Sequence, residues 1–382
     1  MSAPSQNRQV LYLSYDGMTD PLGQSQVIPY LQGLTAAGWQ ITLVSFEKKE
    51  RADKAPEIAT RLQTSGINWQ PLAYTRQPPV LSTLFDIWRL KRHVRKLHRQ
   101  HNFALVHCRG YITALAGQWL KKRLGVKFVF DMRGFFADER VDGGLWNLKN
   151  PVFRAIYNFF KKKEQAFFSQ ADHSICLTYN GREIIHSWPH LAGQPVPVTV
   201  IPCCADLQLF DPGQADPARA LALSQQLYLP TRAKVLAYLG SIGTWYMLPE
   251  MLAFFGRLLQ HHPDFVLLFI TAEPPEQIMA EARKQGVPSE SLRITRAERA
   301  EVPLLLSLAC ASLFFIKPVF SKQASSPTKQ GELMAMGIPV ICNSGVGDTD
   351  YVVKKYGSGL LVNEMNHNGY EQAIAQLPRL WQ

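Results

Sequence analysis

At 382 residues the chain is longer than one ordinary core supports and fits two domains. Its composition, 46% hydrophobic and 19% charged, excludes a disordered chain. A net charge of +11 suits nucleic acid, anionic lipid headgroups or phosphorylated small molecules, and composition alone does not choose among them.

The opening stretch Met1 to Arg8 has no apolar core, so no signal peptide is expected. Short β-branched or aromatic runs then alternate with longer helical patterns. In the first half the runs are residues 10–14, 40–46, 105–107, 127–131, 173–177 and 198–202. In the second half they are residues 234–239, 265–271, 311–316, 338–342 and 359–362. This alternation predicts an α/β chain of two Rossmann-like domains with parallel sheets, facing across a cleft. Ligands in such sheets bind at the carboxyl ends of the strands. The turn-rich segment Asp211-Pro-Gly-Gln-Ala-Asp-Pro-Ala-Arg reads as a connector. Domains are expected at 1–205 and 206–382, with the last helix free to return to the first domain.

Two helices concentrate the positive charge. Residues 84–99 carry Arg89, Lys91, Arg92, Arg95, Lys96 and Arg99 around an apolar stripe of Ile87, Leu90, Val94 and Leu97. That stripe suits packing on a sheet. Residues 152–168 set Phe153, Ile156, Tyr157 and Phe160 beside Lys161-Lys162-Lys163, the pairing that interfacial membrane helices use. Between these helices, the segment from Phe130 to Arg140 is dense in polar residues directly after a strand. Arg133, Asp138 and Glu139 are therefore either ligand contacts or a solvated charged turn. His107 is a strand-end structural residue or a direct contact. The longest apolar stretch, 302–316, contains Pro303 and is shorter than a bilayer span, so no membrane crossing is expected. The six cysteines show no CxxC pair and no finger spacing, which suits reduced thiols in a cytosolic protein. No His/Asp/Glu cluster has metal-ligand spacing.

The stretch from Ser325 to Val340, Ser-Ser-Pro-Thr-Lys-Gln-Gly-Glu-Leu-Met-Ala-Met-Gly-Ile-Pro-Val, is a loop that enters a helix. Pro327 suits the first turn, the backbone N–H groups there face outward, and Lys329 adds positive charge, a combination that binds phosphate. Glu332, one turn on, is placed to accept bonds from two vicinal ribose hydroxyls. A capped helix with an ordinary surface Glu and Lys has the same spacing.

This stretch resembles the donor signature of glycosyltransferase family 4 and its GT-B relatives: a Glu, seven residues, a second Glu, then Ala-x-Gly-x-Pro-Val. Glu332 matches the second glutamate, which in that family holds the nucleotide ribose. Ala324 stands where the first would be. A variant form reading Ser-Pro-Thr-Lys shares that loss and is matched by Ser326 to Lys329. Val200 to Phe210 resembles the family's Ile-Pro-Asn-Gly-Val-Asp-x-x-x-Phe domain boundary. Tyr238 to Tyr246 resembles its Gly-rich turn, without the Arg and Lys that commonly meet the diphosphate. Lys329, or an arginine from elsewhere, is left to supply that charge. Gly345 to Val362 resembles the family's loop and final strand.

The resemblance implies a GT-B fold and retaining transfer of a hexose-type sugar from a nucleotide-sugar donor. It implies a glycan or lipid-linked acceptor in cell-surface polysaccharide assembly, and neither metal nor cofactor. It places Gly23, Gly240, Ser241, Thr328, Lys329 and Glu332 at the donor. Arg109 falls where the family has its active-site histidine. A guanidinium is no general base near neutral pH. In the front-face mechanism the leaving phosphate takes the acceptor proton, so Arg109 would stabilise charge. Asp138 and Glu139 join it as catalytic candidates, with His107 and Arg133 at the acceptor. A cytoplasmic protein, peripheral on the inner face of the cell membrane through residues 152–168, is the matching location. A nucleotide-sugar epimerase is one other reading, although no carboxylate pair is clearly placed for it. A non-catalytic protein that binds membrane or nucleic acid is another. RNA-recognition aromatic motifs are absent, so no nucleic-acid partner is expected.

Overall fold

Runs of Val, Ile, Leu and Phe with no polar face form strands buried on both sides, as in Phe265–Ile270, where all six residues are buried. The structure, a computed structural model, describes residues 7–191, 193 and 196–381. Residues 1–6, part of the stretch read for a signal peptide, lie outside the described residues.

Contacts divide the chain into one unit up to Pro202 and another from Cys203. The first unit is built on β1 (Gln9–Ser14), β2 (Gln40–Glu47), β3 (Asn68–Ala73), β4 (Leu105–Arg109), β5 (Lys127–Asp131), β6 (His173–Cys176) and β7 (Val198–Val200). The second has β8 (Lys234–Leu239), β9 (Phe265–Ile270), β10 (Leu292–Thr295), β11 (Ala311–Phe314), β12 (Val340–Asn343) and β13 (Gly359–Val362). Their orders are β3-β2-β1-β4-β5-β6-β7 and β10-β9-β8-β11-β12-β13, and neighbouring strands run parallel. Each unit is therefore the Rossmann-like layered sheet that the strand–helix alternation predicts. The order reverses direction between β1 and β4 in the first unit, and between β8 and β11 in the second. The loops that leave the carboxyl ends at these two points diverge, and that is where such sheets bind ligands.

Two strands are absent from the sequence reading, β3 and β10, and both lie at the edge where their sheet begins. Edge strands have one open side, so Asn68–Ala73 (NWQPLA) and Leu292–Thr295 (LRIT) mix polar with apolar residues and lack a continuous apolar run. Pro71 is tolerated in β3 for the same reason. The segment from Asp211 lies inside the second unit. Its turn residues cap helices: Asp211 Oδ1 accepts from the Gly213 amide and Asp216 Oδ1 from the Ala218 amide, each at 2.9 Å. The apolar stretch 302–316 divides into a short helix, Val302–Leu306, and β11. No helix of the described residues is long and apolar enough to cross a membrane.

The second core centres on Leu236, Leu252, Phe255, Leu267, Phe269, Leu313 and Ile341. At its carboxyl edge the buried Asn343 ties the ends of β11 and β12 together. Its Oδ1 accepts from Ile316 N (2.8 Å), and its Nδ2 donates to Ile316 O (2.8 Å) and Ser344 O (2.9 Å). Asn343→Leu keeps the volume but strands the Ile316 amide and carbonyl, at about 1–3 kcal/mol for each buried group left unpaired. A lowered urea midpoint is the expected outcome, and an unchanged one would mean that water reaches both groups.

Candidate active site

In the first unit, the carboxyl ends of β1, β4 and β5 carry a row of charged side chains. Parallel register places Ser14 beside Arg109 and Arg109 beside Asp131. The Arg109 guanidinium is buried, and its Nε donates to Asp16 Oδ2 at 3.3 Å. His107 Nε2 lies 3.3 Å from Asp131 Oδ2, with the His107 ring tilted by 30° against Tyr12 at 4.5 Å. Arg133 reaches Asp131 Oδ1 at 3.8 Å, too long for a hydrogen bond, and that buried oxygen has no hydrogen-bond partner. Burial alone would raise the Asp131 carboxyl, but Arg133, His107 and Arg109 outweigh it and hold the group below its usual value. Arg133 has φ +60, in the left-handed region, two residues past the end of β5 and before Gly134 (φ +135). The fold thus brings Arg109, His107 and Arg133 around one ionised carboxylate.

Asp138 belongs to a different network. It accepts from Tyr157 Oη at 2.8 Å and from Lys161 Nζ at 2.9 Å. Lys161 also donates to the buried Glu164, which accepts from Tyr111. These bonds tie the helix Phe136–Asp142 to the helix Pro151–Gln170, so Asp138 is engaged in packing two helices together. Glu139 is half-buried on the same short helix.

The loop after β1 is pinned from below by Glu47. That carboxylate accepts from the Met18 amide (2.8 Å), the Thr19 amide (3.1 Å) and the Thr19 hydroxyl (2.7 Å). Gly23 sits against this loop: a Cβ there would lie 2.2 Å from the Gly17 carbonyl oxygen and 2.7 Å from Met18 Cα. Close packing within the first unit therefore requires the glycine, whatever else approaches it.

In the second unit, the loops at the sheet reversal follow β8 and β11. The helix Thr328–Ala335 begins there with Pro327 at its N-cap, and no side chain caps its first-turn N–H groups. Ser326 Oγ instead accepts from the Cys203 amide at 3.1 Å. Lys329 is buried with Nζ 3.8 Å from the Tyr246 ring centroid, 4.5 Å from that of Tyr238 and 3.5 Å from the Tyr238 hydroxyl. Gly240, at φ +110, makes room for it, since a Cβ there would meet Lys329 Nζ at 3.2 Å. The Ser241 carbonyl accepts from the Tyr238 hydroxyl. Lys322, also buried, lies 3.8 Å above the Trp245 ring. Thus the turn that lacks Arg and Lys of its own holds two lysines from the β11 side on its aromatic rings. Glu332 is buried and accepts from Arg299 Nη1 at 2.9 Å, and Arg299 stacks on Phe210 at 5.2 Å. Among the described residues, no group of three or more His, Cys, Asp or Glu could hold a metal ion.

With this geometry the chain can be set beside known proteins. Residues 25–209 match Glycosyltransferase Family 4, and residues 221–380 match Glycosyl transferases group 1. The chain belongs to the GT-B glycosyltransferases. It is 25% identical over 285 residues to D-inositol 3-phosphate glycosyltransferase of Segniliparus rotundus. That match covers 73% of this chain and 59% of the relative, so it spans less than two thirds of the relative's length. In fold it is similar to sucrose-phosphate synthase from Thermosynechococcus elongatus (TM-score 0.70, 17% identity, 97% of this chain and 90% of that one). It is likewise similar to Anabaena Alr3699/HepE in complex with UDP (TM-score 0.69, 14% identity, 98% and 91%).

In this GT-B chain, Lys322, Arg299, Asp16 and Asp131 join the sites without having been singled out in the sequence. Lys322 and Arg299 lie 10 and 33 residues before Glu332 with no periodic relation to it, so only the fold brings Arg299 to Glu332 and Lys322 to the turn that seats Lys329. An acid at the carboxyl end of a strand was the available signal for Asp131.

Two expectations test these assignments. Gly23→Ala should lower stability by about 1–3 kcal/mol through overpacking, read by thermal melts; an unchanged melt with weaker nucleotide binding would return the glycine to a ligand role. Burial, opposed in part by Glu332, lowers the Lys329 amine to about 7. Below pH 7 both the folded and the unfolded chain carry that proton, and the buried charge costs its full penalty. Between there and the ordinary lysine value only the unfolded chain holds it, so stability rises with pH at about 1.4 kcal/mol per unit of pKa difference. Lys329→Met should therefore be more stable than the parent at pH 6.5, with the gap shrinking by pH 9.5. Equal urea-midpoint differences at both pH values would place the amine in water.

Proposed function

We propose that this chain transfers a hexose-type sugar from a nucleotide-sugar donor to a glycan or lipid-linked acceptor, with retention, in cell-surface polysaccharide assembly. The observation that carries the proposal is the second-unit cluster at the sheet reversal, Lys329 and Glu332 one helical turn apart, with Lys322 on Trp245 of the turn that seats Lys329. Uncapped N–H groups at Thr328 and Lys329, the Thr328 hydroxyl and two lysines suit a diphosphate. Arg299 engages Oε1 of Glu332, which leaves Oε2 to accept from a ribose hydroxyl. The diphosphate charge is thus assigned to lysines, and no metal or other cofactor is invoked. Gly240 and Ser241 border the phosphates through the turn that seats Lys329.

On the first unit, Arg109 is a fixed cation held by Asp16 and Asp131. It stabilises negative charge on the leaving phosphate or the acceptor, and the phosphate itself removes the acceptor's proton. His107 and Arg133, oriented by Asp131, bind acceptor hydroxyls. Glu139 is the remaining carboxylate of that segment for acceptor contact, since Asp138 is held by Tyr157 and Lys161. The protein works in the cytoplasm, peripheral on the inner face of the cell membrane. HepE of Anabaena was solved with UDP, which makes uridine diphosphate the first probe to use.

Saturation-transfer NMR with UDP-, GDP- and ADP-glucose tests the donor site. One of the three should bind, and Glu332→Ala should weaken it about tenfold or more, the scale of a lost hydrogen bond to a charged group. If none binds, or Glu332→Ala binds equally well, the donor assignment fails. Sugar consumption without any acceptor would point to epimerisation instead.

A further inference from the structure

The helix Leu81–His101 has two apolar sides. One is buried in the first unit and holds Ser82, Asp86, Leu90, Val94 and Leu97. The other stands in solvent: Leu81 is 63% exposed, Leu84 57%, Phe85 48% and Trp88 56%. Their spacing, three, four and seven residues from Leu81, puts them on one helical face. Scattered exposed leucines are ordinary, but four large apolar side chains within two turns form a contiguous patch. The Phe85 and Trp88 rings stack at 5.9 Å, with Arg89 over Phe85 at 5.5 Å and Arg92 over Trp88 at 5.8 Å. The patch continues back to Val80, 39% exposed, whose φ of +70 is a costly conformation for a branched residue.

Positive charge follows directly along the helix with Lys91, Arg92, Arg95, Lys96 and Arg99. Its one acidic residue, Asp86, is buried and already accepts from Tyr15, Thr75 and Arg89. The charge extends onto neighbouring helices. Burial and then Lys163 lower the Lys91 amine, and burial and then Lys122 lower that of Lys163, so the three amines crowd one surface.

The helix Pro151–Gln170, which the sequence singles out for a membrane, is placed differently. Phe160, Phe167, Phe168 and Glu164 face inward, and Lys161 is drawn into the network with Asp138. Its exposed large apolar residues are Val152 and Phe159, seven positions apart.

We propose that the exposed face of the helix Leu81–His101 docks on an anionic lipid surface. Leu81, Leu84, Phe85 and Trp88 enter among the headgroups, and Lys91, Arg92 and Arg95 lie on the phosphates. Aliphatic and aromatic side chains together with arginines match the interfacial helix pattern. A second copy paired with its helix parallel to this one would set each Arg92 and Arg95 cluster near its equivalent, and a dimer of any pairing is read out separately below. The docking does not depend on the transfer reaction, and it can hold or fail with that reaction unchanged.

The test is co-sedimentation of the full chain with vesicles of phosphatidylcholine alone and with phosphatidylglycerol added. Binding is expected on the phosphatidylglycerol vesicles and should fall severalfold when salt is raised from 0.1 to about 0.5 M, as screening shortens the reach of the charges. The double variant Leu84→Ser/Trp88→Ser should lose at least tenfold in partitioning with an unchanged thermal melt, and Arg92→Gln/Arg95→Gln should lose severalfold. Val152→Ser/Phe159→Ser should retain binding. Brominated lipid should quench tryptophan fluorescence in the parent and less in Trp88→Leu. No partitioning onto phosphatidylglycerol vesicles overturns the proposal. So does partitioning that the Leu84/Trp88 variant leaves intact, or a concentration-dependent dimer that the same variant abolishes.

Discussion

In a parallel sheet every connection returns over one face, and where successive crossovers change sides the loops leaving the strand ends must part. Each unit of this chain has one such place. Between β1 and β4 the loops part beside Asp16, just after β1, and Arg109 at the end of β4, with Asp131 one strand further on at the end of β5. Between β8 and β11 they part at a helix start and the buried lysines Lys322 and Lys329. The polar groups at these positions can be buried only because neighbours of opposite charge or aromatic rings are built around them. The topology thus decides where chemistry can occur, and the local pairing decides which charges survive there.

The two units solve that problem in different ways. In the first, guanidinium and imidazole groups surround a carboxylate, and ion pairing outweighs the cost of burying it. In the second, lysine amines lie against tyrosine and tryptophan faces, with Glu332 the nearest countercharge to Lys329. A ring face offers a cation only part of what water offers. An arriving polyanion would therefore meet, at Lys329, an amine that rests on two tyrosine rings. Arg299 differs, because it is committed to Glu332 and serves to fix where that carboxylate points.

Much of the architecture is legible in the sequence, because buried parallel strands must be apolar throughout. The runs at residues 234–239 and 127–131 coincide with β8 and β5 for this reason. The edge strands β3 and β10 escape because one open side removes the need for an apolar run. Lys329 and Glu332 are legible since they share a helix start, where spacing maps directly onto geometry. Lys322 and Arg299 are not, because their approach depends on how loops after different strands fold back. The basic helices show a third limit. Amphipathic spacing reports that a helix has two sides but not which apolar side is covered, so Leu84 and Trp88 gave no signal distinct from Phe160 and Phe167.

Arg133 turns left-handed at the end of β5, a conformation that costs an ordinary side chain on the order of 1–2 kcal/mol. Glycine would adopt it without that cost. A library sorted only for heat resistance should therefore enrich Arg133→Gly, while one sorted for product formation should retain arginine. Deep sequencing of the two pools at this single codon would show whether selection has been holding a strained residue in place for its guanidinium.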